Sequence, residues 1–218
     1  MRNCLKLKKI YLIFWCCSFN ILFAQHDLKL EIINDTIKKV SSYDDCNILY
    51  SITNTSETDY YLILDSAVFN EDPEYKIEPL FMGLPDYYIY KKNDLIEPGF
   101  SFGGSSINIF NDEYFRCEEK IQNNDWDPKV LCRFSKLIVH FKPKEEKVFS
   151  AKVNFPNYKG RTYNLKNKEI YYFEMSISNP LEYVEAYLNL IPKNKKKYMI
   201  FTGKLYSNKV PLIYEVYN

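Results

Sequence analysis

An alternation of apolar and polar side chains, with a period of two residues, recurs along most of this chain of 218 residues. In the clearest segment it puts four apolar side chains on one side: Tyr171, Phe173, Met175 and Ile177. Successive side chains of a strand point to opposite faces of a sheet, so this pattern is typical of a half-buried strand. About ten such segments, separated by polar turns, predict an all-β fold, an antiparallel β-sandwich.

The pattern also predicts two hairpins. The first joins residues 133–141 to residues 147–155 through the charged turn between them. The second lies near the C-terminus and turns at Ser207-Asn208, because polar residues separate two apolar-rich runs there.

The strand predicted from Val210 to Val216 contains Pro211, which has no backbone N–H to donate. Proline inside a strand is tolerated mainly at sheet edges and bulges. We therefore expect this strand to be an edge and Ile213 to be open to strand addition by a partner.

One segment departs from the strand pattern. Asn179 is a favourable N-cap residue, Pro180 suits the first helical position, and Glu182 follows three residues after the cap. These signals predict one short helix from Pro180 to about Leu190.

The N-terminus has the layout of a secretory signal peptide. A basic start without acidic residues is followed by an apolar run from Ile10 to Phe23 and then by the small residue Ala24. We expect cleavage between Ala24 and Gln25, export to the periplasm or the outside, no remaining membrane span, and a single domain over residues 25–218. The remaining chain has 25 basic and 28 acidic side chains, which gives no electrostatic basis for binding nucleic acid.

Three cysteines remain after residue 24. Cys117 and Cys132 flank a polar loop, and an oxidising compartment favours their pairing as a disulfide that closes this loop. Cys46 lies on the apolar side of a predicted strand and is expected to be a buried free thiol. Zinc- and calcium-binding spacings are lacking, so neither a metal nor a cofactor is predicted.

The run ILYSITNTSETDYYLIL, together with the strand before it, covers about 40 residues. It resembles the opening strands of exported immunoglobulin-like β-sandwich proteins of bacteria that have no assigned function. The resemblance implies an immunoglobulin-like topology. The antibody-type cysteine pair is lacking, so the strand order stays open.

The sequence contains no nucleophile elbow, phosphate-binding loop or metalloprotease motif, and we expect no enzyme. The leading hypothesis is a non-enzymatic exported module that binds or supports another envelope component, a protein or a glycan. Tyr87, Tyr88 and Tyr90 are candidate binding residues, because neighbours along a strand must point to opposite faces. A hydrolase with a site built from distant loops and a periplasmic inhibitor or immunity-type protein remain as alternatives.

Two triplets resemble a bacterial O-glycosylation pattern, in which an aspartate, a hydroxyl residue and an apolar residue follow one another. They make Thr36 and Ser66 candidate acceptors.

Overall fold

A computed structural model describes residues 27–41, 44–70, 82–100, 136–158, 161–190 and 199–216. Within these ranges the chain is mostly β-structure with one short helix, α1 (Leu181–Leu190). The strands are β1 (Leu28–Ile32), β2 (Ile37–Lys39), β3 (Cys46–Asn54), β4 (Tyr60–Ile63), β5 (Pro85–Lys91), β6 (Asp94–Leu95), β7 (Gly99–Phe100), β8 (Ile138–Phe141), β9 (Glu146–Val153), β10 (Asn157–Tyr158), β11 (Arg161–Thr162), β12 (Glu169–Asn179), β13 (Gly203–Tyr206) and β14 (Val210–Tyr214). The predicted all-β class is confirmed.

The largest sheet is built around β12. This strand pairs with β5 on one side and with both β13 and β14 on the other, and the sheet continues through β2 and β6. Its pairs are antiparallel except for β14 and β2, which run parallel.

A second antiparallel sheet has the order β1-β3-β9, and it shares one core with the largest sheet. Tyr50 of β3 and Phe173 of β12 are fully buried in the same cluster. Burial of such large apolar side chains is the main force that holds the two sheets together. Smaller sheets pair β4 with β8, and β11 with β7 and β10.

The first predicted hairpin is wrong. β8 pairs with β4, whereas β9 pairs with β3, so the turn between them carries the chain from one sheet to another. Alternation places Phe141 on the apolar side of the first segment and Ala151 and Val153 on that of the second, and all three belong to the shared core. Alternation indicates which face of a strand is buried, but it does not indicate which strand pairs with it.

The second predicted hairpin is also wrong. The chain does not turn at Ser207 but continues along the same edge of β12, so β13 and β14 form one interrupted strand. Ser176 pairs with Tyr206 and Phe173 pairs with Val210, so the interruption contains one extra residue, a β-bulge.

The bulge is tied to the second sheet by Asn208. Its side-chain Oδ1 accepts a hydrogen bond from the backbone N–H of Ile32 at 2.7 Å. Its Nδ2 donates to the carbonyl of the same residue at 3.3 Å. The side-chain amide thus makes the two backbone hydrogen bonds that a neighbouring strand would otherwise make with the end of β1.

The predicted edge position of β14 is wrong as well. β2 lies against it in a parallel pairing that begins at Leu212, one residue after Pro211. Ile213 pairs with Lys38 on one side and with Ile170 on the other, so it is an interior residue of the sheet and not a site for strand addition.

The helix prediction is confirmed in position, but its cap is not Asn179. The carbonyl of Pro180 accepts from the N–H of Val184 at 3.1 Å, which makes Pro180 the capping position. The amide of Asn179 has one orientation that satisfies both of its ends. In it, Nδ2 donates to the carbonyls of Ser178 and Ile63, and Oδ1 accepts from the N–H of Ile63.

Candidate functional site

The exposed side of the largest sheet carries a group of tyrosine and lysine side chains, which we call the tyrosine–lysine face. Its members are Tyr88 and Tyr90 of β5, Tyr172 and Glu174 of β12, Lys204 and Tyr206 of β13, and Lys209 of the bulge. Tyr88 is paired with Glu174 and Tyr90 with Tyr172, so the strand register places these side chains next to one another.

The three candidate tyrosines of β5 separate as alternation requires. Tyr87 points inward, is 1% exposed and packs against Phe69 and Phe173. Tyr88 and Tyr90 point outward and are half-buried on the tyrosine–lysine face. Ile213 lies on this same side of the sheet and is also half-buried.

Lys204 lies between two tyrosine rings. Its Nζ is 5.2 Å from the ring centroid of Tyr88 and 4.9 Å from that of Tyr206, and it donates a hydrogen bond to Tyr88 Oη at 2.7 Å. The two ring centroids are 6.5 Å apart. Cation–π contacts of this kind fix the lysine in place by about 0.5 to 2 kcal/mol each.

Lys209 covers the ring of Tyr90, with its Nζ 3.4 Å from the ring centroid. Tyr90 Oη donates to Glu174 Oε2 at 2.6 Å. The side chain of Tyr90 is therefore held on its hydroxyl by a carboxylate and on its ring by an ammonium group.

The phenol groups of Tyr88 and Tyr90 stay protonated. Burial raises the pKa of Tyr90, and its hydrogen bond to the Glu174 carboxylate raises it further. Burial, followed by the negative charge of Asp86, also raises the pKa of Tyr88. These hydroxyls can donate and accept hydrogen bonds, but they are not poised to act as a base or a nucleophile near neutral pH.

A buried ion pair lies beside the face. Arg161 of β11 is 2% exposed, and its Nη2 donates to Asp86 Oδ1 at 2.6 Å. The other carboxylate oxygen of Asp86 accepts from Tyr88 Oη at 3.2 Å. A continuous path of hydrogen bonds thus joins Lys204, Tyr88, Asp86 and Arg161, and it fixes the orientation of Tyr88.

The remaining predicted residues lie apart from this face. Cys46 is a buried free thiol, as expected, and burial raises the pKa of its thiol to about 11. Thr36 is half-buried before β2, and Ser66 is half-buried in the turn after β4, where its carbonyl accepts from Tyr50 Oη. Cys117, Cys132, Ala24 and Gln25 lie outside the described residues.

Sequence reasoning missed Lys204, Lys209 and Arg161. Lysine at a strand end or a turn is ordinary, so neither lysine gives a sequence signal. The two lysines contact tyrosines of β5 because β13 and β5 pair with opposite edges of β12, and β5 is far from both lysines in the chain. A weak signal exists for Arg161. It lies two residues before Tyr163, so in an extended chain the two side chains point to the same side, and both are buried.

A comparison with protein-family models and one with curated proteins gave no match, and they give no positive indication of an enzymatic activity. Over the described ranges no group of three or more His, Cys, Asp and Glu side chains is arranged to hold a metal ion. In that same part of the chain, no helix has the length and hydropathy that a membrane span needs.

Proposed function

We propose that this chain is an exported, non-enzymatic module that binds or supports another component of the cell envelope through the tyrosine–lysine face. In this proposal residues 1–24 are a signal peptide, the mature chain begins at Gln25, and Cys117 pairs with Cys132. The module is an immunoglobulin-like β-sandwich. Two sheets with a shared core support this part of the proposal, as does the resemblance of the first strands.

The observation that carries the proposal is the fixed presentation of the tyrosines. The side chain of Tyr90 and the hydroxyl of Tyr88 are each held by a lysine and by a carboxylate in the absence of any ligand. Tyrosine provides a large contact area for few rotatable bonds, and side chains that are already ordered lose less entropy on binding. Tyr206 extends this ordered group outward, since 56% of its surface is exposed.

A capture experiment with envelope extract from the native host tests the proposal. The mature wild-type protein serves as bait beside the variants Tyr206→Ala and Lys209→Ala, both at exposed positions. The matched control is Val148→Ala, which removes an equally exposed side chain from the second sheet. We expect both face variants to lose the specifically captured component and the control to keep it. Equal capture by all four proteins would exclude this face as the binding site.

A further inference from the structure

We infer that the ligand of the tyrosine–lysine face is an acidic glycan, a polymer of sugar rings that carry carboxylate groups. This inference rests on the proposed function of the same face. It follows from where the polar and apolar groups of the face lie, from its unbalanced charge, and from its hydroxyl groups.

The centre of the face is polar. Glu174 lies on β12, the central strand, and Lys209 and Lys204 lie beside it. The exposed apolar residues lie toward the margins: Ile170 near the start of β12, and Leu95 on the last strand of the sheet. Protein–protein interfaces are enriched in tyrosine, as this face is, but their centre is depleted in lysine and glutamate. A polar ligand therefore fits this face better than a protein surface does.

The charges of the face are not balanced. Within the described residues, neither Lys204 nor Lys209 forms an ion pair with a carboxylate. The carboxylate of Asp86 is already paired with Arg161, so among the described residues of this face Glu174 is the one carboxylate without an ion pair, against two ammonium groups. Both ammonium groups are held over tyrosine rings, so a carboxylate on the ligand meets preoriented cations.

The remaining groups suit sugar rings. The hydroxyls of Tyr88 and Tyr90 stay protonated and donate to Asp86 and Glu174, so each keeps an oxygen lone pair that can accept a hydrogen bond from a sugar hydroxyl. Glu174 accepts hydrogen bonds only. Tyr206 offers exposed ring surface for the C–H faces of a sugar, because an aromatic ring presents a negative face to weakly positive hydrogens.

Binding to three polymers tests the inference, with the mature protein and isothermal titration calorimetry at low ionic strength. Polygalacturonate is an acidic glycan, its methyl ester has the same sugar rings without the charge, and polyglutamate has the charge without the sugar rings. We expect polygalacturonate to bind most tightly, and each of the other two polymers to bind about tenfold more weakly because it lacks one kind of contact.

Variants locate the binding. Lys209→Gln should weaken polygalacturonate binding by about two- to fivefold, within the range for one exposed ion pair. Tyr206→Ala should weaken binding to polygalacturonate and to its methyl ester alike. Lys152→Gln removes an exposed lysine from the second sheet and should change nothing.

Three results would overturn the inference: polyglutamate bound as tightly as polygalacturonate, no binding of polygalacturonate, or equal effects of Lys152→Gln and Lys209→Gln. The capture experiment distinguishes a failure of this inference about the ligand from a failure of the proposed function of the face. If capture from envelope extract still depends on Tyr206, the face binds a component of another class, such as an acidic protein segment. If capture does not depend on it, both proposals are wrong.

Discussion

At the scale of single residues, Gly83 occupies a position that side chains cannot share. Its φ is +81°, and a Cβ placed there would lie 2.7 Å from the carbonyl oxygen of Ile63. We expect Gly83→Ala to lower the free energy of unfolding by about 1 to 3 kcal/mol, because the backbone of β4 must shift and the φ is unfavourable.

Urea unfolding followed by circular dichroism measures this effect. Gly99→Ala is the control, since a Cβ there meets its nearest atom, the carbonyl oxygen of Thr162, at an ordinary 3.6 Å. Equal stabilities of the two variants would contradict the assigned role of Gly83.

The ion pair of Arg161 and Asp86 is buried, and its loss should be costly. Asp86→Asn keeps the size of the side chain but leaves the charge of Arg161 without a partner in the interior. We expect a loss of about 3 to 5 kcal/mol in the free energy of unfolding.

An exposed pair provides the comparison for Asp86. His140 Nε2 lies 3.0 Å from Asp59 Oδ1, and both side chains are well exposed to solvent. Asp59→Asn should cost no more than about 1 kcal/mol. Similar losses for the two variants in urea unfolding would mean that the interior pair is not energetically distinct.

The thiol of Cys46 should make stability depend on pH in the alkaline range. Its pKa is about 11 in the folded protein against an ordinary 9.0, because burial disfavours the thiolate. The unfolded chain therefore loses this proton first as the pH rises. The contribution is fully present below pH 9.0 and is lost as the pH rises toward 11, by about 2 to 3 kcal/mol in total.

Cys46→Ala isolates this contribution from that of other groups that titrate at high pH. The stability difference between wild type and Cys46→Ala, measured by urea unfolding at several pH values from 8 to 11, should shift in favour of the variant as the pH rises. A difference that does not vary with pH would exclude the buried thiol as the cause.

At the scale of secondary-structure elements, the position of β14 inside the largest sheet has a direct consequence. Ile213→Pro removes a backbone N–H from a strand that is paired on both sides, with β12 and with β2. We expect a loss of about 3 kcal/mol or more, in contrast to the mild effect that an edge strand would show.

The matched control is Ile213→Ala, which keeps the N–H and removes a half-buried side chain. It should cost about 1 kcal/mol in the same unfolding assay, in line with partial burial of the removed methylene groups. If the proline variant is no less stable than the alanine variant, the parallel pairing of β2 with β14 does not contribute to stability.

At the scale of the whole molecule, the proposed disulfide can be tested by counting thiols. The chain after Ala24 has three cysteines: Cys46, Cys117 and Cys132. Without reductant, we expect no thiol to react quickly in the folded protein, one to react in denaturant, and all three to react after reduction.

Cys46→Ala is the control for this count. Under the proposed pairing, it should show no reactive thiol in denaturant until a reductant is added. Three reactive thiols in unreduced, denatured wild type would exclude the disulfide. Two reactive thiols in the unreduced, denatured variant, against one in the wild type, would instead mean that Cys46 is part of a bridge.

Much of the secondary structure can be predicted from short stretches of the sequence. Alternation correctly predicted the buried face of β12 and the inward position of Cys46 on β3, because the period of side-chain direction is a local property of an extended backbone. Pro180 and Glu182 correctly predicted the position of α1, although Pro180 is its cap and not its first helical residue. That Tyr87 and Tyr88 point to opposite faces followed from their spacing alone, whereas the structure shows that Tyr88 and Tyr90 are the outward residues.

Only the tertiary structure decided which strands are neighbours. The pairing of β14 with β2, the separation of β8 from β9, and the bulge before Val210 depend on which edges are available once the core has formed. The site depends on the same choice, because Lys204 and Tyr88 are far apart in the chain and meet where β13 and β5 flank β12. Backbone hydrogen bonds between strands are the same for almost every residue type, so local sequence fixes which side of a strand is buried and global packing selects its partners.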